Sequence, residues 1–172
     1  MWILFILLLF CGGGLSYRTT RFTNLKCSAV DPSYVAFEKC QLKILGRGVV
    51  GLNIRMKLLK PPLSNGKVNL SLLRKFSGFR PFMFNVTFDF CNFLAKSTTE
   101  LSFTKIVMDA LATKSNINHS CPFVNDIVVD NFVLSEEFLK FLPLPTGEYQ
   151  IQFSGATDNK WIDKVTINVL LD

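Results

Sequence analysis

Apolar and polar residues alternate along most of this chain. Between Val49 and Lys60, Leu52, Ile54, Met56 and Leu58 fall on one side, with Asn53, Arg55 and Lys57 on the other. A period of two predicts a half-buried strand. Pro61-Pro62-Leu63-Ser64-Asn65-Gly66 stops it, and Asn-Gly is a strong reversing signal. Lys67 to Phe76 then reads as a strand with Val68, Leu70 and Leu72 inward and Asn69 and Ser71 outward. The clearest alternation follows: Phe82, Phe84, Val86, Phe88 and Phe90 inward, against Met83, Asn85, Thr87 and Asp89. Phe22 to Ser28 and Val35 to Leu45 also read as strands, parted by the turn former Asp31-Pro32-Ser33.

The period changes after Cys91. Ser97-Thr98-Thr99-Glu100 matches a capping box, and Phe103, Ile106, Val107, Ala110 and Leu111 recur at helical spacing. One amphipathic helix over Ser97–Lys114 is expected, its apolar stripe packing on a sheet or covering a pocket. A strand is predicted at Ile127–Leu134 and a short helical turn at Ser135–Phe141, stopped by Pro143. Glu148–Ser154 and Asp163–Leu171 read as two closing strands joined by a hairpin over Gly155–Asn159. Tyr149, Ile151 and Phe153 share one face of the first, as do Val165, Ile167, Val169 and Leu171 of the second. Many short alternating strands with regular turns predict an all-β sandwich or barrel carrying a helical insert.

The first 16 residues stand apart. Met1 to Cys11 is an apolar run too short to span a bilayer, which takes about 20 residues. Gly12-Gly13-Gly14-Leu15-Ser16 supplies small residues for cleavage, so residues 1–16 are expected to be a signal peptide and 17–172 a single domain. Secretion changes the reading of Cys27, Cys40, Cys91 and Cys121: an even count outside the cell implies disulfides. Four cysteines allow three connectivities. The sequence-local one, Cys27 with Cys40 and Cys91 with Cys121, is expected. No Cys-x-x-Cys pair favours zinc. Three glycosylation sequons begin at Asn69, Asn85 and Asn118, and the first two fall on outward strand faces.

Charge adds little. A formal net charge of +6 is moderate, and Arg18, Arg21, Lys57, Lys60, Arg74, Lys75 and Arg80 are scattered among strands and turns. This suits a solvated surface better than an acidic partner, and nucleic acid is not expected of a secreted chain. Chemistry for catalysis is sparse. The single histidine, His119, lies in a sequon, and no Gly-x-Ser-x-Gly, phosphate loop or His-x-x-x-His occurs. Asp89 faces outward on its strand, and Glu136-Glu137 suits a helix start. No enzyme, cofactor or catalytic residue is expected. By contrast, phenylalanine is abundant: 17 in all, with only Phe5 and Phe10 in the leader. Rings on inward strand faces can form a core or line an apolar cavity.

Several motifs carry a family likeness. Cys91-Asn92-Phe93-Leu94, Cys121-Pro122-Phe123, Leu142-Pro143-Leu144-Pro145-Thr146-Gly147-Glu148-Tyr149-Gln150-Ile151 and Lys164-Val165-Thr166-Ile167-Asn168-Val169 resemble the ML lipid-recognition domain. Phe22-Thr23-Asn24-Leu25-Lys26-Cys27 and Phe88-Asp89-Phe90-Cys91 are closer to an insect family of small secreted proteins that includes the CheB-type chemosensory proteins. The resemblance spans nearly all of residues 17–172. It implies an immunoglobulin-like two-sheet sandwich whose sheets part to admit a lipid, hydrocarbon or pheromone-like ligand, without catalysis. In ML domains an early cysteine pairs with one in the last strands. This chain has no cysteine after Cys121, which is the reason for pairing Cys27 with Cys40.

The expected function is a secreted, monomeric carrier of a hydrophobic small molecule, in partnership with a membrane receptor for a chemosensory role. Its cavity candidates are Ile54, Met56, Leu58, Leu70, Leu72, Phe82, Phe84, Phe88, Tyr149, Ile151, Phe153, Val165 and Ile167. The alternative is an extracellular module that binds a receptor through its surface and has a filled core. A continuous apolar cavity of several hundred Å³ separates the two.

Overall fold

Strand-forming alternation and turn chemistry together set the topology. The computed structural model describes residues 20–96, 102–134 and 144–172. The leader at 1–16, Ser97 with Glu100 of the capping box, and the helical turn at 135–141 lie outside the described residues. Eight strands are described: β1 (Thr20–Ala29), β2 (Val35–Gly46), β3 (Val49–Leu58), β4 (Lys67–Lys75), β5 (Phe79–Asp89), β6 (Ile127–Phe132), β7 (Gly147–Thr157) and β8 (Lys160–Leu171). Two helices sit between β5 and β6: α1 (Phe90–Ala95) and α2 (Phe103–Ala112). The chain is an all-β sandwich with a helical insert: a five-stranded sheet ordered β1-β8-β7-β4-β5 faces a three-stranded sheet ordered β2-β3-β6. Every strand pairing is antiparallel.

The turns obey their residues. Asp31 accepts from the Ser33 amide and hydroxyl at 3.0 and 2.7 Å, which holds its carboxyl below the usual range. The β7–β8 reversal is tighter than expected. It takes only Asp158 and Asn159, both at positive φ, the geometry that matches the twist of a two-residue hairpin. Pro145 to Tyr149 leads into a corner. The Tyr149 hydroxyl donates back to the Pro145 carbonyl at 2.7 Å, and the Arg74 guanidinium donates to the Thr146 carbonyl at 3.1 Å.

Three expectations need correction. The helix does not run from Ser97 to Lys114. It starts at Phe103, because Ser102 is extended and its hydroxyl accepts the Lys105 amide at 3.2 Å. An unforeseen helix, α1, takes Phe90 off the end of β5. Asp89 caps it by accepting the Asn92 amide at 2.7 Å, so this carboxylate serves a helix start. Asn53 is also not the outward residue that alternation implies. A register irregularity between Leu52 and Ile54 leaves it buried, where its carbonyl accepts from the Asn131 amide at 3.2 Å.

Both sequence-local disulfides are present. Cys27–Cys40 joins β1 of the larger sheet to β2 of the smaller and closes one edge of the sandwich. Cys91–Cys121 ties α1 to the segment that follows α2. Beside it, Leu63 and Phe123 exchange backbone hydrogen bonds at 2.8 and 3.0 Å, and the buried Phe123 ring stacks on Phe90. One apolar cluster, with Leu52, Leu70, Leu72 and Tyr149, fills the space between the sheets. A second, with Val35, Phe90, Met108 and Phe123, sits at the helical end. α2 joins them, placing Val107 in the first and Met108 in the second.

Candidate functional site

Five strands cannot be covered by three. The surplus on the larger sheet falls at β5, and the helices cover it there: Phe84 lies against Phe103 of α2, and Phe88 against Phe93 of α1. Where the two apolar clusters meet, packing is incomplete. A cavity of about 160 Å³ lies between the sheets, beneath α2. Its walls are Phe37, Leu52, Ile54 and Met56 of the smaller sheet, Val68, Phe153, Val165 and Ile167 of the larger, and Met108 and Leu111 of α2. Leu63, Phe90, Ile117 and Ile162 complete the helical end.

Five of the thirteen cavity candidates line this space: Ile54, Met56, Phe153, Val165 and Ile167. The other eight pack elsewhere. Leu70, Leu72 and Tyr149 are fully buried core residues, and Ile151 packs against them. Leu58 belongs to the cluster at the helical end. Phe82 meets Tyr149 at 5.9 Å between ring centroids, while Phe84 and Phe88 meet the helices. Alternation identifies the inward face correctly, but it does not say which inward residues meet a partner and which meet a void. Leu111 of α2 is signalled by helical periodicity; Met108 lies outside the apolar stripe read from the sequence. Phe90 is signalled by the alternation that begins at Phe82, although it sits on α1; Leu63 and Ile117 come from irregular segments, for which no pattern exists.

Two wall residues are not apolar, Asp163 and the exposed Lys67. Asp163 lines the cavity and is 8% exposed. The β7–β8 register slips between Gly155 and Ala156, so Ile162 and Asp163 both turn inward. The Gly155 amide donates to Asp163 Oδ1 at 3.2 Å. Burial pushes the Asp163 carboxyl up to about 6, and the Gly155 hydrogen bond only partly opposes it. Running the Val165–Leu171 alternation back by one step puts Asp163 on the inward face, so the signal exists in the sequence.

The polar features lie away from this cavity. Asn69 and Asn85 sit side by side on the outward face of β4 and β5, with Asn69 Nδ2 2.8 Å from Asn85 Oδ1 and 2.9 Å from Thr87 Oγ1. Asn118 is exposed in the loop before Cys121. His119 leans on the Phe123 ring, with Nδ1 2.7 Å from the Ser120 carbonyl. Several basic residues are held by neighbours: Lys57 by Glu38, Lys75 by Glu148, and Lys60 over the Tyr34 ring. Among the described residues no helix is long and apolar enough to cross a membrane.

Residues 68–151 match a family described as protein of unknown function (DUF1091). The match covers just under half of the chain. It takes in β4 through β6, both helices and the first part of β7, and so includes the α2 wall of the cavity but neither Asp163 nor Cys27 and Cys40. No curated protein matches the chain.

Proposed function

We propose that the chain is a secreted carrier of a small hydrophobic molecule, held between the two sheets under α2. The observation that carries this reading is the almost wholly apolar cavity at the junction of the two core clusters. Native interiors are close-packed, so a void of this size in so apolar a setting is a feature to be explained. Two disulfides support an oxidising compartment, and the likeness to ML lipid-recognition domains supports a ligand between the sheets. At about 160 Å³ the cavity falls short of the several hundred Å³ expected of a carrier for larger molecules, and the volume limits the ligand. Pockets for drug-sized molecules span roughly 300–1,000 Å³, whereas a dry cavity of about 150 Å³ holds benzene. A volatile-sized molecule suits a space of about 160 Å³; a whole acyl chain does not.

A second reading has its own observation. The β2–β3 hairpin tip exposes Ile44 at 80%, with Leu45 and Val49 beside it and Lys43 and Arg47 around it. An exposed apolar cluster rimmed by charge suits a surface-docking module. Native mass spectrometry of the secreted, glycosylated protein separates the two. The carrier predicts a discrete small-molecule adduct, or its uptake from a panel of ring-sized hydrocarbons, alcohols and ketones. A protein that is always empty and takes up none of them supports the docking module instead.

A further inference from the structure

A carboxyl group is an expensive occupant of an apolar cavity, and local features of the chain accommodate this one. Asp163 is in phase with the inward Val165 and stands beside the bulge at Gly155 and Ala156, and the Gly155 amide binds one of its oxygens. Gly155 also leaves the space: a Cβ at that position would run into the Asp163 carboxyl. The remaining neighbours give the carboxyl nothing to bond. Its partner on β1 is Ala29, and the cavity it lines is walled mostly by apolar residues such as Phe37, Val68, Phe153, Met108 and Val165. Lys67 edges the cavity and is exposed, while Lys160 and Lys164 on β8 point to solvent. No ion pair joins any of them to Asp163 among the described residues. The Gly155 amide is the one hydrogen-bond donor to this carboxyl among the described residues. A buried polar group with spare bonding capacity, set in a mostly apolar binding space, is the arrangement that fixes a ligand's orientation.

We propose that the cavity takes a small, mostly apolar molecule bearing one neutral oxygen function, a hydroxyl or carbonyl, and that the Asp163 carboxyl hydrogen-bonds that oxygen. The inference rests on the carrier reading and sharpens its ligand class. Charge and bonding capacity exclude the neighbouring classes. A ligand carboxylate would be buried against a second carboxyl. A primary ammonium needs acceptors for three N–H groups, and the walls offer one side chain that accepts. A pure hydrocarbon leaves the acid as bare as before. A hydroxyl can donate to the ionised acid, and a carbonyl can accept from the protonated one. Both forms are accessible because burial places the titration at about 6.

Calorimetric titration with ring compounds of nearly equal size tests this. Wild-type protein should bind cyclohexanol and cyclohexanone about tenfold more tightly than methylcyclohexane, the effect of one hydrogen bond to a desolvated group. Asp163→Val should erase that preference while still binding methylcyclohexane. Asp163→Asn, which keeps shape and hydrogen bonding, should retain a preference for cyclohexanol. Equal wild-type affinity for all three compounds overturns the role of Asp163 and leaves the carrier standing. A preference that survives in Asp163→Val does the same. No binding of any compound by the wild type overturns the carrier reading and this inference with it. The wild-type comparison decides the matter even where a variant fails to fold.

Discussion

Replacing Cys91 and Cys121 together by alanine should lower stability by about 3.5 kcal/mol, the chain-entropy value for a loop of this length. The bridge spans a sequence separation of 30 and encloses most of α1, all of α2 and the loop into Phe123. Without it, that insert is held by apolar contacts, chiefly Phe84 on Phe103, Phe90 on Phe123, and Val107 and Met108 in the two clusters, and by the hydrogen bonds that Lys114 and Asn116 share with β6 and the segment before it. For a domain of this size the thermal midpoint should fall by about 10 °C. The Cys27–Cys40 bridge closes a separation of 13 and should contribute about 3 kcal/mol, so the two losses are nearly equal in stability. They differ in place. Only the first frees the helix that walls the cavity, so only the first should also abolish ligand uptake below its lowered midpoint. Calorimetry with native mass spectrometry reads both quantities. An unchanged midpoint, or retained uptake in the Cys91→Ala/Cys121→Ala protein, would contradict the assignment of the insert as the cavity's wall.

Asp163→Asn should stabilise the empty protein at neutral pH by about 3 kcal/mol and leave it unchanged in acid. The carboxyl titrates near 3.8 when unfolded and at about 6 when folded. The folded state therefore holds its proton more tightly, and stability falls as pH rises between those values. Below pH 3.8 both states are protonated and the acid costs nothing extra. Above pH 6 the full penalty of a buried, ionised carboxylate is present. Its size is the gap between the two pKa values at about 1.4 kcal/mol for each pH step. Asparagine still accepts from Gly155 and cannot ionise. The difference between variant and wild type in denaturant unfolding should then be near zero at pH 3.5, grow to pH 6, and stay level to pH 8. Parallel curves at all pH values would mean that the carboxyl is not desolvated. A residue that destabilises its own fold at working pH is the pattern expected of a binding group.

Much of this fold is legible in the residues. Phe82 to Phe88 alternate on β5 as the sequence implies, Asn65-Gly66 precedes β4, and both cysteine pairs close sequence-locally. What fails is local competition. Phe90 continues the β5 alternation, yet Asp89 can cap a helix, and the cap wins. The stretch from Ser97 suggests a capping box, yet Ser102 is the residue that starts α2. The site was harder to read for a geometric reason. Inward-facing rings on an edge strand line a cavity only where a strand lies opposite them. β5 extends past the three-stranded sheet, so Phe84 and Phe88 meet helices. The void sits instead over Ile54, Met56 and Val165, where turns and α2 hold the sheets apart. Asp163 was readable as an acid in phase with Val165 and Ile167. Its meaning depended on a bulge and on the absent side chain of Gly155, which no alternation reveals.

The most direct test of a ligand site between the sheets is a methyl-labelled NMR titration of the wild-type protein with cyclohexanol. The account predicts saturable shifts confined to the methyls that line the cavity, among them Ile54, Met56, Met108, Leu111, Val165 and Ile167. Shifts confined to Ile44, Leu45 and Val49 at the hairpin tip, or none up to the solubility limit, would contradict it.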